Sequence, residues 1–258
     1  MFELPIWTYP VAILAGILAG IVNTMAGSGS LVTLPMLVFL GLPTSVANGT
    51  NRVGVTFQAM VGLATLRSRG ALQLRSAGWF VVPIVLGAVA GAQVAAEIDE
   101  RALNLAIAAI MVGTLIALLL RPQQFLAKAE AHDGARPKWW LLLAFVGIGL
   151  FGGFIQAGVG ILLLVGLVMG AKLEPMHATG VKLSLTLLFT SSALAVFVWH
   201  GQVDWVLGGI VAVGQGLGAW LAARFLAGNE RAGLWIRRAL IAVVAVSSVK
   251  FLVEGLGR

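Results

Sequence analysis

Ala26-Gly27-Ser28-Gly29-Ser30 returns 131 residues later as Ala157-Gly158-Val159-Gly160. The same offset pairs, without a gap, Gly16 with Gly147, Ala47 with Ala178, Gly49 with Gly180, Gly70 with Gly201, Gly87 with Gly218, Ala92 with Ala223 and Leu103 with Leu234. A register held over so much of the chain marks a duplicated unit. In each copy the glycines interrupt an apolar stretch, 10–40 and 141–170. Each stretch exceeds the roughly 20 residues that one span needs. Glycine there weakens a helix and permits a turn. Non-helical backbone at membrane depth is tolerated only where protein or a water-filled cavity covers it. Each stretch reads either as one long broken span or as a broken helical hairpin that returns to the side it entered from, and the loop charges below favour the hairpin.

Working outward, the surroundings read as a bilayer. The 258 residues are 59% hydrophobic and 10% charged, with mean hydropathy +0.99, whereas a soluble domain carries about 25% charged residues. Further spans are expected at 46–66, 77–96 and 102–120, and again at 177–198, 206–223 and 236–253. Between the halves, residues 121–138 are polar and contain Pro122, Gly134 and Pro137. The predicted fold is an all-α polytopic membrane protein with a first repeat over 1–120, a linker over 121–138 and a second repeat over 139–258. Each repeat is a Gly-broken hairpin followed by three transmembrane helices. The N-terminus has no basic region or small-residue cleavage site, so the first apolar segment is expected to stay.

The charges orient the two copies. Arg67, Arg69 and Arg75 follow the second segment of the first half, which places that loop in the cytoplasm. The matching loop of the second half has His200 and Asp204 and no Lys or Arg. The next loop reverses the bias: Glu97, Asp99, Glu100 and Arg101 in the first half, but Arg224, Arg231, Arg237 and Arg238 in the second. These signs agree if the repeats are inverted, with linker 121–138 cytoplasmic and both termini outside. Lys250 and Arg258 at the outer end run against the rule. The expected home is the inner (plasma) membrane.

Paired helix breaks in inverted halves point to a secondary transporter and its binding site. A half-helix N-terminus offers free N–H groups and a positive dipole end, both favourable to an anion. Ala26, Gly27, Ser28, Gly29 and Ser30 have that form, the two serines adding hydroxyls. Gly158 and Gly160, with Gln156 beside them, are their counterparts. A second shared element, Asn48, Gly49, Thr50, Asn51 and Arg52, is matched by Thr179, Gly180 and Lys182. Polar density of that kind is expensive inside a span and marks function, although Lys182 sits near enough to a span end to snorkel to the interface. The candidate substrate-binding set is thus Ala26, Gly27, Ser28, Gly29, Ser30, Asn48, Thr50, Asn51, Arg52, Gln156, Gly158, Gly160, Thr179 and Lys182. Two cations facing two positive helix ends suit a small anionic substrate, and no Asp or Glu lies within a predicted span.

Other chemistries fit less well. With no cysteine, thiol catalysis, disulfides and Cys-based metal sites are excluded. His132, His177 and His200 do not converge as metal ligands do, and neither a metal nor a cofactor is expected. Net charge is +7 and the pI about 10.8, but the basic residues sit in loops without interleaved aromatics, so no nucleic-acid partner is expected. Gln58, Gln93 and Gln215 read as interhelical hydrogen bonds. Gly87-x-x-x-Gly91 and Gly214-x-x-x-Gly218 read as packing faces, which also offer a homo-oligomer contact. Two rival functions remain: an anion channel, and an intramembrane serine hydrolase using Ser28 with a distant His. The second copy has Val159 where a nucleophile would repeat.

With these residues in hand, the chain resembles the TauE/SafE family of sulfite exporters and toluene-sulfonate uptake permeases. The resemblance rests on the two Gly-rich stretches, on Pro35 in the following apolar run, on Ala47-Asn48-Gly49-Thr50 and Ala178-Thr179-Gly180, and on Val203-Asp204-Trp205. It covers nearly the whole chain apart from the linker and termini. The family usually shows three glycines where this chain has Gly27-Ser28-Gly29-Ser30 and Gly158-Val159-Gly160. The resemblance implies alternating-access transport of a small sulfur-containing anion such as sulfite, sulfoacetate or another organosulfonate.

Overall fold

The computed structural model describes residues 6, 8–70, 72, 74, 77–119, 137–226 and 230–256. Arg75, Arg258 and the linker up to Arg136 lie outside the described residues, as do the side chains of Ala26, Arg231 and Arg237. Ten α-helices and no strand occur among the described residues. The first half holds α1 (Thr8–Ala26), α2 (Ser30–Phe39), α3 (Thr44–Ser68), α4 (Gly78–Glu97) and α5 (Glu100–Leu119). The second holds α6 (Trp139–Phe154), α7 (Val159–Val165, prolonged by a π turn Gly166–Gly170), α8 (Pro175–Trp199), α9 (Trp205–Leu221, prolonged by a π turn Ala222–Leu226) and α10 (Glu230–Leu256).

Helix ends follow local chemistry. Asp204 caps α9 by accepting from the amides of Val206 and Leu207, both at 3.0 Å. Pro175 occupies the first turn of α8, where its missing N–H costs nothing. The α3 N-terminus is capped from another helix: Glu100 at the start of α5 accepts from Thr44 N at 3.0 Å and Ser45 N at 3.1 Å. A carboxylate at a helix N-terminus also complements the dipole.

Both Gly-rich stretches form hairpins. Gly27 and Gly158 turn the chain at φ +73° and +79°, the left-handed region open to glycine. After the first turn, Gly29 lies against Ala19 and Asn23 of α1, so α2 retraces α1. After the second, Gly166 lies against Phe145 and Gly170 against Leu141, so α7 retraces α6. The 10 residues of α2 rise only about 15 Å, half of a bilayer core. Apolar burial holds these short helices in place. Leu31, Leu34 and Leu37 of α2 and Leu163 and Leu167 of the α7 arm are fully buried, each set within its own core cluster.

The longer helices pack in matched pairs. α4 lies along α6 as α1 lies along α9, and α3 meets α9 as α8 meets α4. Gly87 and Gly91 press on the backbone of Val146 and Leu150, while Gly214 and Gly218 press on that of Ile13 and Ile17. Both Gly-x-x-x-Gly faces are thus covered inside the chain, where their small residues seat α6 and α1. Residue numbers rise together along these contacts, so α1 runs parallel to α9 and α6 parallel to α4.

Two ends of the bundle follow. Thr44 and Glu100 share one end, where Gln202 also reaches the carbonyl of Ala96 at 2.9 Å. At the other end, Arg69 donates to the carbonyls of Ala223 (2.8 Å) and Arg224 (3.1 Å). The first hairpin opens toward the acidic end and the second toward the arginine end. Lys250, the cation that departs from the charge pattern, lies 4.0 Å over the ring of Phe39, a cation–π contact.

Among the described residues, four helices are long and apolar enough to cross a membrane: Thr8–Met25, Gly78–Glu97, His177–Trp199 and Trp205–Arg224. Helix α3 matches them in length at 25 residues but carries Asn48, Asn51 and Arg52 in its first half. Val82, Leu86, Leu143, Val213 and Val249 face outward, an apolar surface suited to lipid. The protein is an all-helical membrane protein.

Candidate functional site

The two hairpin tips touch. Gly160 N donates to Gly27 O at 3.0 Å. A Cβ on Gly27 would lie 2.6 Å from the Gly160 backbone, and one on Gly160 would lie 2.4 Å from that of Gly27. Only glycine permits this approach. Beside the contact lies a narrow, mostly buried cavity lined by Asn23, Gly27, Ser30, Gln156, Val159, Gly160, Lys182, Leu183, Thr186 and Phe189. It offers about 10 Å³ to the centre of a water-sized molecule, the room of one water.

The lining has one cation and no carboxylate. Lys182 is 2% exposed, so it does not snorkel. Its Nζ is 3.5 Å from the carbonyl of Thr24 near the end of α1. Gln156, at φ +65°, donates to Thr190 Oγ1, while its own Oε1 is buried without a partner. A non-glycine residue in this region stores strain and is held by its surroundings. Ser30 Oγ accepts from Asn51 Nδ2 at 3.0 Å, which leaves its proton available to the cavity.

Around the cavity, α3 holds the first hairpin through side chains. Asn23 Nδ2 donates to Gln58 Oε1 at 2.6 Å, Gln58 Nε2 to Thr24 Oγ1 at 3.4 Å, and Thr33 Oγ1 to Asn51 Oδ1. Asn23 Oδ1 in turn accepts from Gly29 N at 3.3 Å. Gln215 Nε2 reaches Thr33 Oγ1 at 3.4 Å. Gln58 and Gln215 are therefore interhelical ties. Gln93 is not: it bonds Glu97 one turn along α4 on an exposed face, because its side chain points away from the neighbouring helices.

Of the fourteen expected site residues, Gly27, Ser30, Gln156, Gly160 and Lys182 line the cavity. Asn51 supports it through Ser30. The others, apart from Ala26, whose side chain lies outside the described residues, do not line it. Gly29 allows the turn against α1, and Gly158 faces Thr114 of α5. Ala26 ends α1, Ser28 is buried in the turn, and Thr179 is half-buried one turn before Lys182. Thr50 accepts from Asp204 N at 2.9 Å and so joins α3 to the start of α9. Arg52, fully buried, turns to the end of α6: Nη1 donates to Gly152 O at 3.0 Å and Nη2 to Gly153 O, with Phe197 stacked 4.8 Å away. Asn48 Nδ2 donates to Phe154 O at 2.7 Å.

Asn23 and Thr186 were missed. Thr186 follows Lys182 by four residues, hence on the same helix face. Asn23 stands beside Thr24 in an otherwise apolar run, four positions before Gly27. His177 and His200 do not line the cavity, and His200 Nδ1 lies 2.9 Å from Val196 O at the end of α8.

The family described as Sulfite exporter TauE/SafE matches this chain over residues 12–251. Among curated proteins, the chain is 24% identical to "Probable membrane transporter protein ORF9" of Sinorhizobium sp., over 90% of this chain and 87% of that protein. It is 29% identical to a "Probable membrane transporter protein" of Haemophilus influenzae, over 82% of each chain. It is also 24% identical to "Probable membrane transporter protein YfcA" of Escherichia coli K12, over 96% of this chain and 91% of that protein. No solved structure matches. These relatives are described as transporters rather than enzymes.

Proposed function

The chain belongs to the sulfite exporter TauE/SafE family and is a membrane transporter, and we propose that it moves a small sulfur-containing anion such as sulfite, sulfoacetate or another organosulfonate by alternating access. The observation that carries the reading is the narrow, mostly buried cavity at the touching tips, with Lys182 as its one cation among the described residues. A sulfonate or sulfite group presents oxygens to Nζ of Lys182 and to the Ser30 hydroxyl. Dispersed donors of this kind suit a tetrahedral or pyramidal oxyanion. The narrowness of the centre favours a carrier over an anion channel: with room for one water, passage of an anion needs the tips to part.

In this reading the halves are inverted repeats in the inner membrane, with linker 121–138 in the cytoplasm and both termini outside. The segregation of Arg69 and Arg224 from Glu100 and Asp204 supports it. The test is a thermal-shift series on purified protein with sulfite, sulfoacetate, other organosulfonates, carboxylates and sulfate. A site ligand raises the melting temperature by mass action. Stabilisation by sulfonates that disappears in Lys182→Met is the expected result. Stabilisation that survives Lys182→Met moves the site elsewhere.

A further inference from the structure

Three successive carbonyls at the broken end of α6 belong to the second half, yet their partners come from the first. Arg52 takes those of Gly152 and Gly153, and Asn48 takes that of Phe154. Asn48 Oδ1 lies 3.4 Å from Nη2 of Arg52, so the two side chains are also tied to each other. Both stand on one face of α3, four residues apart. The last carbonyls of a helix have no intrahelical partner, and at membrane depth there is no bulk water to serve them. The guanidinium also meets the negative end of the α6 dipole. We propose that Arg52 and Asn48 are positioning residues that cap the second hairpin from the other repeat and thereby hold its tip in the shape that faces the cavity.

The tip begins where the cap ends. Ile155 follows Phe154 directly, and Gln156 comes next with its positive φ and unpartnered amide oxygen. A strained residue persists when its surroundings over-determine it, and the cap fixes the backbone just before it. Arg52 itself does not line the cavity, whereas Val159 and Gly160 of the same tip do. The matched positions of the second half are Thr179 and Leu183, without a guanidinium, and from α8 Lys182 Nζ reaches a single carbonyl near the end of α1, that of Thr24, at 3.5 Å. The second tip depends on α3 for its shape. What that tip touches rests on the site proposed above.

The absence of cysteine allows a direct test. Val159→Cys places a thiol on the second tip, and Thr186→Cys places one on α8 facing the same cavity. Each is introduced beside Arg52→Gln, Arg52→Lys or Asn48→Ala in the full chain in proteoliposomes, and labelling by a small thiosulfonate reagent is timed without substrate. Arg52→Gln should speed labelling at position 159 about tenfold or more, the effect of losing hydrogen bonds to a charged group. Labelling at 186, which shares the cavity but stands on α8, should rise several-fold less than at 159, because only the capped tip is loosened. Arg52→Lys should restore the slow rate in part, since one ammonium cannot span two carbonyls as the planar fork does. A general loss of stability would speed both positions alike, and that result overturns the proposal, as does an unchanged rate at 159. Should Arg52→Gln fail to fold, Asn48→Ala removes a single neutral bond and should still speed position 159 selectively, by about threefold. Sulfoacetate is then added to the Thr186→Cys proteins. Protection that persists in Arg52→Lys agrees with positioning, and protection abolished there makes Arg52 a ligand and overturns it. Absence of protection even with Arg52 intact defeats the substrate assignment instead, and the substrate-free rates still decide the cap.

Discussion

Helices α3 and α8 hold matched places in the two halves and do different work. Toward the cavity, α3 offers amides and a guanidinium already committed to backbone and side chains of both hairpins: Gln58 and Asn51 to the first, Asn48 and Arg52 to the second. At the same offset, α8 has Phe189 for Gln58, Lys182 for Asn51, Thr179 for Asn48 and Leu183 for Arg52. Two of these substitutions replace a tie with an apolar side chain, Thr179 is shorter than Asn48, and Lys182 places a cation against the cavity, with one long bond to the Thr24 carbonyl at 3.5 Å. Duplication supplied one scaffold, and divergence then divided it: α3 fastens the tips and α8 supplies the charge and the apolar wall.

The strongest way to break this division is at the matched pair Lys182 and Asn51. Lys182→Met should weaken anion binding by about a hundredfold or more, as loss of a buried charge partner does. Asn51→Ala, which removes neutral bonds only, should cost about tenfold or less. Binding isotherms on both variants check this, and equal losses would mean that α3 contributes to the ligand site as much as α8.

The tips come next. Gly27→Ala should lower unfolding free energy by about 3 kcal/mol or more, because its Cβ would lie 2.6 Å from Gly160 backbone that cannot yield without parting the tips. Gly41→Ala is the control: φ is +98° but nothing lies within 4 Å, so only backbone strain of about 1–2 kcal/mol is expected. Denaturation in detergent compares them, and similar losses would mean that the tip contact is loose.

Orientation is sharpened at the far ends of the same two helices. Ser68→Cys ends α3 and His200→Cys follows α8. An impermeant maleimide applied to intact cells should label position 200 and spare 68, and inside-out vesicles should reverse this. Labelling of both from one side would make the repeats parallel. The smallest effect concerns packing. Gly147→Ala meets nothing within 4 Å and should stabilise α6 by about 0.5–1 kcal/mol. Its counterpart Gly16→Ala approaches Val211 O at 3.0 Å and Gly214 Cα at 3.1 Å and should cost about 1 kcal/mol or more.

Much of the fold was legible because its signals are local. Hydrophobic length marked the spans, and Gly27 and Gly158 marked the turns. The charge reversal between Arg67–Arg69 and His200–Asp204 grouped the same loops that share an end of the bundle. The site was legible in part. Lys182 and Ser30 were found because a polar residue inside an apolar helix is conspicuous. Asn23 was passed over because nothing beside it in the chain showed that α1 would bring it alongside Gln58. Arg52 was recognised as costly and then given the wrong partner.

By itself, then, the sequence determined that this is a duplicated membrane protein with a break at the same place in each copy. Hydrophobicity, glycine content and charge act through the residue's own surroundings, and no fold is needed to read them. Only the tertiary structure decided which cation holds helix-end carbonyls and which faces the cavity. A guanidinium binds helix-end carbonyls or an oxyanion through the same donors, so its chemistry cannot choose between them. The choice came from a partner 100 residues away along the chain, Gly152, brought to Arg52 by the packing of α3 beneath the second hairpin. The same packing left Lys182 facing the cavity.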